Sequence, residues 1–486
     1  MDKKKPQSSG VEYEAVEDGY FEQRGLRRHA RVWSLWALGV GAVISGDFFG
    51  WNFGLASGGF GGLLVATVII TVMYIGLCFS IAEMSPALPH TGGAYSFARS
   101  SMGPWGGYVT GLAENMEFVL TPAVIVVGIG GYLGAIFGTP DWAQPLWWLG
   151  AYAVFVGLNI WGVELSFRVT VVITIAALLI LVVFWISAVP HFSLSNALDI
   201  EPDPGGSTWF PKGWIGVLGA LPFGIWFYLA IEELPLAAEE SHDPKKDMPR
   251  GIVLGLFTLI VAAFLTLVLN SGVAPGADEL SSSERPLLDA FQTIFGAGTN
   301  AQILALIAVT GLAASFHSII FAYGRQVYSL SRAGYFPRVL SRTHPTRKTP
   351  VVALIVGAAI GYVVAFVIHS LGQDHPVGAV LLNMAVFGAV LSYMLQMVSF
   401  ILLRVRFPTI ERPYRSPFGI PGAVITFLIA LVTLVALFVV DPVYQKVAVG
   451  AAIWYALGLL YFALYARHRL VAAPEEQFAL DQRADP

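Results

Sequence analysis

The sequence predicts an all-α polytopic membrane protein of about twelve transmembrane helices, on three grounds: composition, recurring apolar stretches, and a lopsided distribution of basic residues. Hydrophobic residues make up 56% of the 486 and charged residues only 12%, with a mean hydropathy of +0.68. That inverts the balance of a water-soluble domain. A helix crossing a hydrocarbon core needs about 20 apolar residues, and stretches of that length recur almost end to end between short polar connections. The net charge of -4 gives no basic surface for nucleic acid. Cys78 is the single cysteine, so neither an intrachain disulfide nor a cysteine metal site is expected, and no cofactor is implied.

Taken in order, residues 1-32 are polar, carry charges of both signs and lack the short apolar core of a cleavable signal, so they read as a cytoplasmic N-terminal tail. Apolar runs then place spans at 33-58, 61-82, 105-136, 145-163, 167-189, 214-239, 250-272, 301-331, 350-369, 378-402, 420-440 and 444-466. Spans 3 and 8 exceed a perpendicular crossing and should tilt or project. Between spans 7 and 8, within 273-300, ERPLLDAFQTIFG reads as a short surface helix over the outer vestibule. Residues 467-486 form a cytoplasmic C-terminal tail. With both ends inside, 25 of the 28 Lys and Arg fall on the inner side, leaving Lys212, Arg285 and Lys446 outside. This is the asymmetry that positive-inside insertion produces.

Two spans break the apolar pattern. Span 1, WSLWALGVGAVISGDFFGWNFGLASGG, surrounds Asp47 with Gly39, Gly41, Gly46, Gly50 and Gly54, which weaken a helix. Span 6, WIGVLGALPFGIWFYLAIEELPLAAEE, has Pro222 and Gly224 before an aromatic cluster and Glu232 and Glu233 after it. Unwound backbone at membrane depth is tolerated only against protein or a water-filled cavity, so paired breaks mark a solute site. Breaks in the first and sixth spans suggest a core at 33-402 made of two repeats, 33-189 and 214-402, followed by two further helices within 403-466. An odd number of spans per repeat makes the repeats inverted.

Four strings carry a resemblance over essentially the whole chain: GDFFGWNFG at 46-54, EMSPALPHTGGAYSFARSSMGPWGG at 83-107, IEELPLAAEESHDPKKDMPRGI at 231-252 and RAGYFP at 332-337. In order and spacing the sequence resembles the amino acid, polyamine and organocation (APC) permease superfamily and, mainly through the span 1 string, bacterial ethanolamine permeases. The resemblance implies a LeuT-like fold of two inverted five-helix repeats with alternating access around a central site. It also implies a multi-pass protein of a bacterial inner membrane.

Asp47 lies in the span 1 break, where a buried carboxylate needs a cation, water or hydrogen-bond donors. It reads either as counter-charge to an ammonium or as an acceptor for nearby backbone and hydroxyl groups. Amino acid carriers of the superfamily keep a small Gly-Ser-Gly-like element here whose amides hold the substrate carboxylate. In this chain Gly50-Trp51-Asn52 stands there, preceded by Ser45 and Gly46, which implies a substrate without a carboxylate. Trp226, Phe227 and Tyr228 stand at the span 6 break, where the resemblance places an aromatic over the substrate; aromatics at such depth also simply pack. Glu232 matches a position implicated in proton coupling, or is a buried acid bonded to broken-helix amides. Glu114 and Glu117, flanking Asn115, share one face of span 3, near a substrate-contacting position implied by the resemblance. His317, beside Ser315 and Ser318, either titrates or bonds a substrate hydroxyl, or is a satisfied core histidine. Glu239, Glu240, Asp243, Lys245, Lys246, Asp247 and Arg250 read as an inner gate and orientation determinant. Pro86, Gly92 and Gly93 read as turn-fixing residues, and Arg325 as an interfacial or ion-paired group.

Some relatives carry a lysine in span 5 in place of a sodium ion; FRVTVVITIAALLIL has none, with Ala176 at that position. The expected partners are therefore a small amine, a coupled proton and membrane lipid, with no nucleic acid. An amino acid or polyamine carrier of the same superfamily is the nearest alternative. A channel is disfavoured by the absence of charged rings or filter-like loops. An enzyme is disfavoured because H-E-x-x-H, G-x-S-x-G and P-loop motifs do not occur.

Overall fold

A computed structural model describes residues 10-283, 285-296, 298-371, 376-440, 442-473 and 476. The beginning of the expected N-terminal tail, 1-9, and most of the C-terminal tail, 474-475 and 477-486, lie outside the described residues. The described chain is built from helices joined by turns, with β-bridges only at Tyr13 to Leu470 and Ala30 to Ser241. In order, the α-helices are α1 (Val32–Val43), α2 (Ser45–Phe48), α3 (Phe53–Ala87), α4 (Gly93–Phe137), α5 (Gln144–Trp161), α6 (Val163–Ala188), α7 (Leu194–Ala197), α8 (Gly213–Ile225), α9 (Pro244–Gly272), α10 (Ala277–Leu280), α11 (Pro286–Phe295), α12 (Thr299–Arg332), α13 (Val351–Leu371), α14 (Pro376–Arg406), α15 (Gly419–Val440) and α16 (Pro442–Leu464). Several start on proline, whose missing N–H costs nothing in a first turn. α4 ends on Gly138 in the left-handed conformation, a common helix stop.

Among the described residues, eight helices are long and apolar enough to cross a membrane: α3, α4, α6, α9, α13, α14, α15 and α16. The stretches Val32–Phe48 and Gly213–Ile225 are apolar but shorter, because each stops at a backbone break. One expected boundary shifts. The helix ending as span 3 begins at Gly93 and changes direction at Gly103 (φ 80°), so the expected inner loop at 83-107 is largely helical. α3 is two helices, the end of span 1 and span 2, joined at a kink at Gly59 (φ 67°, ψ -179°) between their expected limits at 58 and 61. Both kinks fall at the expected span limits. The surface helix expected between spans 7 and 8 is α11, one turn shorter than its string.

Burial orders these helices from centre to rim. The most apolar window of α4 is 78% buried by other parts of the chain, whereas that of α16 is 17% buried. Side chains left outside are large and apolar: Val172, Ile186, Val363, Leu457 and Leu464 are all exposed. An apolar exterior around an interior rich in buried carboxylates is what a protein solvated by lipid requires. α1 packs against α6, α9 and α12, α3 against α8 and α9, and α14 against α4. The two broken segments therefore sit in the middle of the bundle.

Candidate functional site

Asp47 and the aromatic groups expected at the site come together where the two broken segments touch. α2 ends at Phe48; Phe49 is extended (φ -165°, ψ 167°) and Gly50 has φ 97°, a conformation that strains any residue with a Cβ. The Ser45 N–H donates to Ser315 Oγ (2.9 Å), whose hydroxyl donates to the Gly41 carbonyl (2.8 Å), so a span 8 serine tethers the break. α8 ends at Ile225, and residues 226-230 turn before a ten-residue 3-10 helix, Ile231–Glu240, entered through Ala230 at φ 83°. That positive φ on a non-glycine residue is held by its surroundings and marks stored strain. The contact between breaks is backbone to backbone: a Cβ on Gly46 would sit 1.9 Å from the Trp226 carbonyl oxygen. Only glycine fits.

Around this contact the Phe49 and Trp226 rings lie 6.2 Å apart, both partly exposed. Trp51 is fully buried and stacks on Phe227, with centroids 5.6 Å apart and planes at 27°. Asn52 is consumed structurally. Its Oδ1 accepts the Gly50 N–H (3.0 Å), and its Nδ2 donates to the carbonyls of Leu280 (2.6 Å) and Ser283 (2.8 Å). The break is thus pinned to the segment at and after α10, and the Gly50 amide is no longer open to an anionic ligand. Asp47 is 0% exposed, and neither carboxylate oxygen accepts a hydrogen bond of good geometry. The hydroxyl of Thr266 on α9 is close enough to act on it and itself accepts the Trp185 indole N–H at 3.1 Å. A buried carboxylate with so little support calls for a cation or a proton.

A second group of acids meets a different set of partners. Tyr393 on α14 donates to Glu232 (2.9 Å), and its oxygen lies 2.9 Å from the Tyr74 hydroxyl. Glu117 lies beside Glu232, and its oxygens meet no other donor. Two adjacent buried carboxyls repel unless they share a proton or take up a cation. Glu114 accepts from Gln326 Nε2 (2.7 Å), and Glu233 is buried with both oxygens unpartnered. Tyr228 connects the two groups: it is close enough to Asp47 to feel its charge, its hydroxyl lies 2.7 Å from Thr71 Oγ1, and its ring lies 5.0 Å from that of Tyr74. Sequence patterns do not single out Tyr74, Tyr393, Thr71, Thr266 or Gln326, because an isolated Tyr, Thr or Gln in an apolar span carries no local signal.

His317 stands apart from both groups. Its Nδ1 lies 3.1 Å from the Asn159 amide and its Nε2 3.2 Å from both the hydroxyl and the carbonyl oxygen of Ser166, so its polar atoms are engaged between α5 and α6. At the basic end of the bundle, Arg325 and Glu240 form a two-point ion pair (3.2 and 2.9 Å) with both side chains fully buried. Arg332 pairs with Glu239 (3.0 Å), with His90 against both. Of the cluster expected to form a gate, Glu239 and Glu240 lie in these pairs. Lys245 instead pairs with Glu411 and Lys246 with Asp243, both on the surface. The terminal segments close over these pairs: Ala30 N–H donates to the Glu240 carbonyl (2.8 Å), Glu12 N–H to the Arg467 carbonyl (2.7 Å), Leu470 N–H to the Glu12 carbonyl (3.2 Å) and Glu14 N–H to the Leu470 carbonyl (2.9 Å).

Comparison with known proteins gives this geometry its context. An uncharacterized transporter of Rhizobium meliloti (strain 1021) is 30% identical over 81% of this chain and 83% of its own. A branched-chain amino acid permease of Bacillus subtilis (strain 168) is 25% identical over 92% of this chain and 94% of its own, and a methylthioribose transporter of the same organism is 25% identical over 92% and 95%. The family model described as amino acid permease matches residues 31–464, nearly the entire described chain. A multi-pass helical bundle, a charged site between broken helices and this match together establish that the chain belongs to the amino acid permease family of membrane transporters.

Proposed function

We propose that the protein imports a small organic amine, with ethanolamine as its solute, by alternating access through a LeuT-like core. In this reading the eight apolar helices, the two broken ones, α5 and α12 make twelve spans. The core 33-402 is two inverted five-helix repeats, and both termini face the cytoplasm of a bacterial inner membrane. The observation that carries the solute class is Asp47, sealed at the break with neither oxygen satisfied. A primary ammonium supplies the missing charge and three donors. The Phe49 and Trp226 rings beside it favour a cation through their electron-rich faces, worth about 2 kcal/mol when desolvated. An amino acid would also need an anion cradle. Here the Gly50 amide is taken by Asn52, and the Trp51 indole fills the space beside Phe227.

Import is energised by the membrane potential acting on the cation, about 2.3 kcal/mol per charge per 100 mV, and by a proton held between Glu117 and Glu232. The Tyr74 and Tyr393 hydroxyls extend that site toward Tyr228, next to Asp47. A second reading, transport of a neutral amino acid, is favoured by the family description and by the branched-chain permease among the relatives. Radiolabelled ethanolamine uptake into proteoliposomes tests both. Saturable uptake untouched by excess glycine, alanine or leucine supports the amine; absent ethanolamine uptake with saturable amino acid uptake replaces it with the second reading.

A further inference from the structure

A cavity of about 480 Å³ opens at the basic end of the bundle, away from both acid groups. Its wall is assembled from four separate stretches: the segment before α1, the α5–α6 junction, the residues after Glu240, and the connection between α12 and α13. Those stretches bring Arg27, Arg28, Arg168 and Arg347 to one opening, with His29 and His242 between them and a single carboxylate, Glu164. Glu164 pairs with Arg168 at 2.5 Å, one turn along the surface. Arg347 stacks over the Trp161 ring at 4.6 Å, which fixes its guanidinium plane while its N–H groups remain free to donate. The backbone is equally determined. His29 N–H donates to the Glu240 carbonyl (2.7 Å), His242 N–H donates to the Ala30 carbonyl (2.9 Å), and the two imidazoles lie 6.5 Å apart. Burial, with smaller contributions from the neighbouring His242, Arg168 and Arg27, outweighs Glu164 and holds His29 below its ordinary pKa.

Insertion orientation calls for basic residues near this end, but only spread over its loops. Four guanidinium groups around one recess with one carboxylate among them go beyond that requirement. Guanidinium matches phosphate oxygens in geometry as well as charge. Trp161 is 64% exposed, and Val154 and Val172 on the two helices that meet at the recess are exposed and apolar. This is the level at which a lipid phosphate would lie.

We propose that this recess is a binding site for a phosphate-bearing anion, either the headgroup of an anionic lipid or a soluble phosphate, separate from the solute site. It rests on the transporter reading only in assigning this end to the cytoplasmic face. An occupant would tie the segment before α1 to the residues after Glu240, directly over the buried Arg325–Glu240 pair, and so would favour the closed state of that end.

The test reads binding, so it is independent of which solute is carried. The full-length protein in neutral detergent is titrated with short-chain phosphatidylglycerol, short-chain phosphatidylcholine and inorganic pyrophosphate at constant ionic strength, following Tm. Wild type is compared with the Arg27→Gln/Arg347→Gln double variant and with Lys245→Gln, a surface substitution outside the recess. The expected result is a saturable rise in Tm with phosphatidylglycerol or pyrophosphate but not phosphatidylcholine, with half-saturation raised about tenfold or more in the double variant and unchanged in Lys245→Gln. A response to phosphatidylglycerol alone assigns the lipid headgroup, and a response to pyrophosphate assigns a soluble phosphate. No saturable response to either anion, or equal responses in wild type and double variant, overturns the site.

Discussion

Replacing Asp47 with Asn removes one charge and almost no volume. In the structure the carboxylate is 0% exposed, lies near one hydroxyl, that of Thr266, and accepts no well-formed hydrogen bond. An ammonium about 3 Å away in surroundings of effective dielectric about 20 would be attracted by about 5 kcal/mol. Breaking a buried pair by removing one partner costs about 3–5 kcal/mol. At about 1.4 kcal/mol per factor of ten, Asp47→Asn should raise the half-saturation for ethanolamine by about 100- to 3000-fold. The empty protein should behave oppositely: with no buried carboxylate to support, Tm should hold or rise. Uptake into proteoliposomes over a wide range of ethanolamine, paired with scanning fluorimetry of the empty protein, measures both. A half-saturation within about threefold of wild type, at equal expression, would refute the counter-charge argument.

Glu232→Gln should abolish the acceleration of uptake by an inward proton gradient while leaving solute exchange across equal pH intact; a retained gradient response in proteoliposomes excludes Glu232 as the coupling group. Gly46→Ala drives a methyl against the Trp226 carbonyl oxygen, where backbone must move, so a loss of stability of about 1–3 kcal/mol and loss of uptake are expected, read as Tm and initial rate. Glu240→Gln leaves the Arg325 guanidinium buried without its counter-charge and should lower Tm by the equivalent of about 3–5 kcal/mol. The Glu240→Gln/Arg325→Met double variant should recover much of that loss, and no recovery would mean that the pair's geometry rather than its charge balance supports the closed end.

The two backbone breaks are legible in the amino-acid sequence because their causes are local. Gly46 and Gly50 beside Asp47, and Pro222 and Gly224 just before Trp226, withdraw helix propensity, and both breaks lie there. The amide of Asn52 is visible in the sequence, but its use is not: its acceptors, Leu280 and Ser283, lie more than two hundred residues downstream. The same limit separates Glu232 from Tyr393 and His317 from Asn159, since a single sequence records which polar groups fall in apolar spans but not which helix they face. Glu114 and Glu117 share a helical face as their spacing requires, yet Gln326 takes one and Glu232 approaches the other. The breaks at Gly59 and Gly103 fall at the expected span limits, but the helix over 93-102 does not show in hydropathy, because its polar residues read as a loop.

The pairing of the two chain ends has a bearing on biosynthesis. Tyr13 donates to Glu476 across 463 residues, and Glu476 also reaches the buried Arg99 guanidinium at 2.5 Å. Residues 12–14 emerge from the ribosome before the helices that follow them and wait for nearly every helix to be inserted before Arg467, Leu470 and Glu476 arrive to dock with them. Until then the guanidinium of Arg99 lacks the carboxylate that balances it, and the basic end lacks its cover. A chain cut before Glu476 therefore differs chemically from the one described here at this spot, with a buried guanidinium left without that carboxylate.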